Sequence, residues 1–363
     1  MYYYYRIASM TLRSSLELQS FKTFSCDAAE ADVTIEETEK IPVYGEKKYS
    51  GRISHRRFTD GWEIAIRSND RKGVYFNADY THIRFFGATG KVLAGDDEWL
   101  ARIGLECWFV RHGYIILHSA AVEKDGEAFT FTGPSGIGKS TRAGAWTEAL
   151  GAKLVNGDRP LISVREPELY GVPWDGKEQL FRNVHYPLKA IGEVRRSDSV
   201  YVRKMSFDQR RRLLLRQSFI PMWDTETATL QMANIARLAA RTDMVRIFSG
   251  PTGEDAKRIY NILKNQDYLK EEPDMKAKPG FVLRNVVDEY ILMPTGDNIG
   301  KFNGTVLLNE VSAFVWEKLQ NPMTKDDLLK AILDEFEVEK AVASADMEAL
   351  LESLRGYGVI EDD

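Results

Sequence analysis

Cysteine is scarce: the 363 residues contain two, Cys26 and Cys107. They stand far apart with no C-x-x-C pair, so spacing offers neither a disulfide framework nor a zinc site. Positive charge is not in excess. Lys and Arg number 49 against 54 Asp and Glu, a net charge of −5, which argues against nucleic acid as a partner. No window approaches the apolar length of a membrane span, so no membrane partner is expected. The opening MYYYYRIASMTLRSS lacks a basic region followed by a long apolar core, so no secretory signal is read there. A cytoplasmic, reducing location is the expectation.

What is present is an ordinary globular composition and a length that suggests two or three domains. Residues 1–110 read as a β-rich region, with WEIAIRSND and THIRFFGATG alternating or running in β-branched and aromatic residues. Their aromatics (Tyr2, Tyr3, Tyr4, Tyr5, Trp62, Tyr75, Phe76) read as sheet packing. Residues 111–265 read as α/β. YIILHSAAV, AFTFTG, KLVNGDRPLISV, ELYGVPW and YPLKAIGEV supply strands, with a turn at Asp125-Gly126. TRAGAWTEALGA, TATLQMANIARLAAR and GEDAKRIYNIL supply helices. The basic stretch from Arg195 to Arg216 reads first as a solvated face, and alternatively as a surface that attracts an acidic peptide or steadies a transferring phosphoryl group. Residues 266–278, polar and Pro-bearing, have linker composition. Residues 279–363 form a compact unit of strands followed by three amphipathic helices, with Asn309 and Thr324 as N-caps.

The strongest motif is FTFTGPSGIGKST, residues 129–141. Gly133, Pro134, Ser135, Gly136, Ile137, Gly138, Lys139, Ser140 and Thr141 fit G-x-x-x-x-G-K-[ST] between a strand and a helix. Glycines let backbone N–H groups turn onto phosphate oxygens, and Lys139 adds a point charge. The Ser140 hydroxyl suits Mg²⁺, and the helix start aims its positive end at the phosphates. ATP and Mg²⁺ are the expected cofactors. A carboxylate is needed near the metal or the attacking hydroxyl, and Asp158, one helix and one strand later, is the candidate. Glu168 is a second candidate metal ligand, and Trp174, Asp175 and Lys177 a candidate substrate-side loop.

The segment from His118 to Pro160 resembles the catalytic domain of HPr kinase/phosphorylase, related in fold to phosphoenolpyruvate carboxykinase. His118, GPSGIGKST and LVNGDRP stand where that family has a histidine, its phosphate loop and a strand ending in an Asp-Asp pair. The resemblance implies that the loop binds ATP, that Ser140 helps hold Mg²⁺, and that Asp158 is the catalytic acid, with Lys139 and His118 beside it. Gly157 replaces the first Asp of the pair. Assembly of that family into rings makes a homo-oligomer a further expectation.

NGTVLLNEVSAFVWEKL, TKDDLLKAILDEFEVEK and MEALLESLRGYGVIEDD resemble the PqqD family in order and spacing. That resemblance implies recognition of the leader peptide of a ribosomally made precursor, by strand addition near Tyr290–Pro294 and the helix bearing Leu350, Leu351 and Leu354. The expected architecture is an α/β (α+β) HPr-kinase/PEP-carboxykinase-like P-loop domain with a β-rich N-terminal region and a C-terminal winged-helix-like PqqD domain. The expected activity is phosphorylation of a Ser or Thr hydroxyl on that precursor, with a modifying enzyme as a further candidate partner. Two alternatives are a kinase for a small hydroxylated metabolite and a nucleotide-gated chaperone that presents the precursor to another enzyme.

Overall fold

A computed structural model describes residues 1–362 apart from residues 42, 44, 89, 175–179, 198, 270–273, 287, 288 and 300–305. The chain divides into two compact units, Met1–Leu269 and Lys270–Asp363.

The first unit opens with ten strands. They are β1 (Tyr3–Ile7), β2 (Met10–Ser14), β3 (Glu17–Leu18), β4 (Val33–Thr38), β5 (Lys48–Ser50), β6 (Ile53–Phe58), β7 (Gly61–Ile66), β8 (Asn69–Asn77), β9 (His82–Phe86) and β10 (Val92–Leu93). Eight of them form one sheet in the order β1-β2-β4-β9-β8-β7-β6-β5, and β3 pairs with β10. Helix α1 (Asp96–Arg111) comes next in the chain, inside the region expected to be mostly strand. Its residues from Ile103 to Val110 are all buried. A helix enclosed on nearly every side shows no polar stripe, which removes the periodic signal. Gly104 permits the close packing, since a Cβ there would stand 2.5 Å from the Phe76 ring. Leu12, Ile64 and Phe76 share one core with Phe109, Tyr114, Leu161 and Trp174, so the N-terminal strands and the α/β region are built on a common interior.

The next elements are β11 (Tyr114–Ile116), β12 (Ser119–Lys124), β13 (Glu127–Thr132), α2 (Lys139–Leu150), β14 (Lys153–Asn156), β15 (Leu161–Ser163) and β16 (Glu168–Tyr170). The unit continues with β17 (His185–Arg196), β18 (Tyr201–Lys204), α3 (Phe207–Gln217), α4 (Thr225–Arg241), β19 (Met244–Ser249) and α5 (Gly253–Asn265). Asp125 and Gly126, both at positive φ, turn β12 into β13, as a tight hairpin requires. β13 runs parallel to β17, and β17 parallel to β19. Their C-terminal ends therefore gather on one side. Phe129, Phe131, Trp146 and Ile259 form the core under α2 and α5. Ile115, Leu213, Leu214 and Ile235 form the core on the opposite face, under α3 and α4.

The second unit contains β20 (Met275–Ala277), β21 (Phe281–Val286), β22 (Glu289–Pro294), β23 (Val306–Leu308), α6 (Glu310–Lys318), α7 (Lys325–Glu335), α8 (Lys340–Gly356) and β24 (Ile360–Asp362). β20 pairs with β24, and the other strands form a sheet in the order β21-β22-β23. Asn309 caps α6 by accepting from the Ser312 N–H at 2.8 Å, and Thr324 caps α7 by accepting from the Asp327 N–H at 3.2 Å. Leu292, Trp316, Leu328, Ile332, Met347 and Leu351 are central to its core.

Candidate functional site

The loop after β13 has the conformation its glycines permit. Gly133, Gly136 and Gly138 lie at φ of 140°, 78° and 107°, a region side chains disfavour. Gly138 is the N-cap of α2 and gives no side-chain cap, so no side-chain oxygen of the cap residue occupies the helix start. Lys139 turns inward and donates to the carbonyl oxygens of Gly133 at 3.0 Å and Pro134 at 3.2 Å. Burial lowers its ammonium pKa, and Asp158 opposes that shift. Pro134, Ser135 and Ser140 are exposed, as a loop facing a ligand would have them.

His118 sits at the break between β11 and β12, not within an apolar strand. Its Nε2 is 3.3 Å from Asp158 Oδ1, and Arg159 Nε is 3.5 Å from Oδ2. Asp158 is fixed from below. The side-chain oxygen of the buried Asn156 accepts from the N–H groups of Asp158 and Arg159, and the Asp158 carbonyl accepts from the Ser119 N–H. The His118 hydrogen bond holds the Asp158 carboxyl below the usual carboxylate range, with Arg159 and Lys139 adding to it and burial working against it. The Thr132 hydroxyl donates to the His118 carbonyl at 2.8 Å, tying this pair to the strand that enters the loop.

Glu168 is not brought to the loop. It pairs with Pro187 on β17, whereas Thr132, next to the loop, pairs with Glu193. Six residues of strand, from 187 to 193, put it about 20 Å away along the sheet. Its carboxylate accepts from the Tyr170 hydroxyl at 2.5 Å instead. Trp174 is a core residue and not part of a substrate-side loop: it is buried, 6.1 Å from each of the Phe21 and Phe109 rings. Asp175 and Lys177 lie outside the described residues. Among the described residues no group of three or more His, Cys, Asp or Glu could hold a metal. Ser140 and Asp158 would be its protein oxygens, which suits Mg²⁺, an ion content with few carboxylates plus phosphate and water.

The arginines are more than a solvated face. Arg196 donates to the Gly136 carbonyl at 2.8 Å, and Arg195 and Arg216 pair with the buried Glu193. Arg142, buried in the first turn of α2, donates to the Ser249 hydroxyl, to the Gly250 carbonyl at 2.9 Å and to the Ser249 carbonyl at 2.7 Å. Burial pushes its guanidinium down to about 10, still charged at neutral pH. A cavity of about 380 Å³ opens here, lined by Ile137, Thr141, Arg142, Arg196, Ser197 and Pro251. Glu193 gave no sequence signal, because a single acid inside YPLKAIGEVRR matches no motif.

In the second unit the structure corrects the expected docking strand. Tyr290, Ile291 and Leu292 of β22 are paired on both sides, with β21 and with β23. A strand paired on both edges cannot accept a third, so addition falls to β21 or β23. Leu351 and Leu354 are buried in the core, while Leu350 lines a groove of about 340 Å³ with Val311, Val315, Phe336 and Met347.

Residues 289–360 match the family described as Coenzyme PQQ synthesis protein D (PqqD). No curated protein matches the chain. One similar solved structure is TbiB1 in complex with the TbiA(beta) leader peptide, 20% identical over 24% of this chain and 94% of that one, with a TM-score of 0.21. Another is a lasso peptide synthetase B1 complexed with the leader peptide, 22% identical over 24% of this chain and 96% of that one, also with a TM-score of 0.21. The C-terminal unit thus carries a PqqD domain.

Proposed function

We propose that the chain is an ATP-dependent kinase that phosphorylates a Ser or Thr hydroxyl of a precursor peptide held by its PqqD domain. The carrying observation is the convergence of the glycine loop, Lys139 and the His118–Asp158 pair at one end of a sheet. The N–H groups of Ser135 to Thr141 cradle phosphates, and Lys139 neutralises the outer ones. Ser140 and Asp158 would supply protein oxygens to Mg²⁺. Asp158 orients the acceptor hydroxyl and takes its proton as the new oxygen–phosphorus bond forms and the diphosphate leaves. A carboxylate of depressed pKa is a weak base, yet it suffices where the transition state is loose and the proton moves late. The cavity beside Arg196 has room for the nucleoside.

The PqqD domain supports a precursor peptide as the partner. Its contribution is proximity, because docking raises the local concentration of the acceptor and lets a weak target sequence be modified. Gly157 favours a second reading, a nucleotide-gated chaperone, since it leaves Asp158 without the neighbouring carboxylate of similar kinases. The protein, ATP·Mg²⁺ and a candidate precursor should yield peptide heavier by one phosphate, and Asp158→Asn should abolish the gain. Peptide that binds but never gains phosphate would overturn the kinase reading in favour of the chaperone.

A further inference from the structure

Two arginines of different character line the cavity beside the loop. The cavity has a volume of about 380 Å³, with Ile137, Thr141, Arg142, Arg196, Ser197 and Pro251 around it. Its place follows from chain order. Thr141 and Arg142 come directly after Lys139 and Ser140 on the first turn of α2, so the cavity begins where the groups suited to phosphate end. Arg196 ends β17 and pairs in register with Ser249, which ends β19. The cavity therefore lies between the start of α2 and the C-terminal ends of two parallel strands, a usual place for a ligand on an α/β sheet.

Arg142 is a structural clamp. It is buried, and its Nη atoms donate to the Arg195 carbonyl at 3.2 Å, the Ser249 carbonyl at 2.7 Å and the Gly250 carbonyl at 2.9 Å, which ties the two strand ends together. The Ser249 hydroxyl donates to the Gly250 carbonyl, and the Ser197 hydroxyl accepts from the Ser199 N–H. These polar groups are engaged within the protein. Arg196 is different. It is exposed, and the hydrogen bond it makes to the described residues is the one to the Gly136 carbonyl at 2.8 Å. That bond holds the guanidinium beside the loop and leaves most of its N–H donors over. A guanidinium is planar and stacks on a flat π system whatever the pattern of that system's edge. Ile137 and Pro251 offer no partner to phosphate oxygens, so together with Arg196 they suit a flat, largely apolar ring instead.

We propose that Arg196, held by the Gly136 carbonyl, stacks on the base of a nucleoside in this cavity, and that it thereby selects a nucleoside triphosphate over an inorganic polyphosphate as the phosphoryl donor. This rests on the proposed role of the loop as a nucleotide site. Affinities for ATP, GTP and inorganic tripolyphosphate, measured by calorimetry on the full chain with Mg²⁺, test it without needing the acceptor peptide. Tripolyphosphate offers the loop a chain of phosphates and has nothing to place in the cavity. The wild-type chain should bind ATP about tenfold or more tighter than tripolyphosphate, the worth of one stacked base. Arg196→Ala should lose most of that preference, weakening ATP and GTP about equally and leaving tripolyphosphate within about twofold. Arg196→Lys keeps the charge without the plane and should recover little of the difference. Ser197→Trp, which fills the cavity, should weaken both nucleotides and spare tripolyphosphate. Arg211→Ala, on α3 and paired with Asp208, should change none of the affinities. Equal wild-type affinity for ATP and tripolyphosphate overturns this inference alone. So does an unaltered ATP-to-tripolyphosphate ratio in Arg196→Ala, whether both affinities hold or both fall. Failure of the wild-type chain to bind any of the three, or undiminished binding by Lys139→Ala, overturns the nucleotide reading and this inference with it.

Discussion

The proposed chemistry turns on one carboxylate and its immediate neighbours. Asp158 is held by Asn156 from behind and by His118 and Arg159 at its two oxygens. Asparagine keeps the shape and removes the negative charge. Asp158→Asn should lower phosphate transfer by about 10²–10⁴-fold, the usual worth of a positioned base, with nucleotide affinity retained. Steady-state transfer beside nucleotide titration separates the two. The same contacts impose a pH dependence. The folded Asp158 pKa lies below its ordinary value of 3.8. Its stabilising contribution is thus complete above that value and is lost as pH falls through the lower, folded pKa. The melting-temperature difference between wild type and Asp158→Asn should stay flat from about pH 7 to 5 and shrink below about pH 4. A difference that shrinks nearer neutrality would mean that the Asp158 carboxyl does not carry the linkage.

At the scale of elements, legibility tracked local pattern. The loop between β13 and α2, the Asp125-Gly126 turn and the caps at Asn309 and Thr324 were readable because each is a short-range rule fulfilled within a few residues. The helix α1 was not, because burial on nearly all sides erased its period. The partner of Asp158 was legible only by resemblance, since His118 lies 40 residues earlier in sequence. Glu168 and Trp174 show the converse: plausible residue types that the fold sends elsewhere, one by strand register and one by burial. Register also decides the docking strand, by closing both edges of β22. If the peptide lies along the sheet edge and drops side chains into the nearby groove, then Val311→Asp or Leu350→Asp should weaken peptide binding by about tenfold or more, since each buries a charge against apolar contacts. Fluorescence anisotropy of a labelled precursor measures this. Unchanged affinity in both variants would move the docking site to the β21 edge.

The whole molecule joins two compact units at Leu269–Lys270. Within the first, the N-terminal strands are not a removable appendage. They share a core with Tyr114, Ile116, Leu161 and Trp174, residues that also support the sheet behind the loop. Deletion of residues 1–95 would strip that cover and should give insoluble protein. The second unit has its own core and caps, so a cut between the units is the sharper test of what joining them achieves. A covalent tether makes the second encounter intramolecular, with an effective concentration in about the millimolar range for a short connection. The two units made separately and mixed at about 1 μM with precursor should therefore transfer phosphate roughly 10²–10³-fold more slowly than the intact chain. Peptide affinity should remain with residues 270–363, and nucleotide affinity with residues 1–269. Raising the peptide to millimolar levels should restore the rate of the first unit alone, because mass action then replaces the tether. A rate that stays low at saturating peptide would show that the PqqD domain contributes more than proximity, by shaping the acceptor segment or the site that receives it.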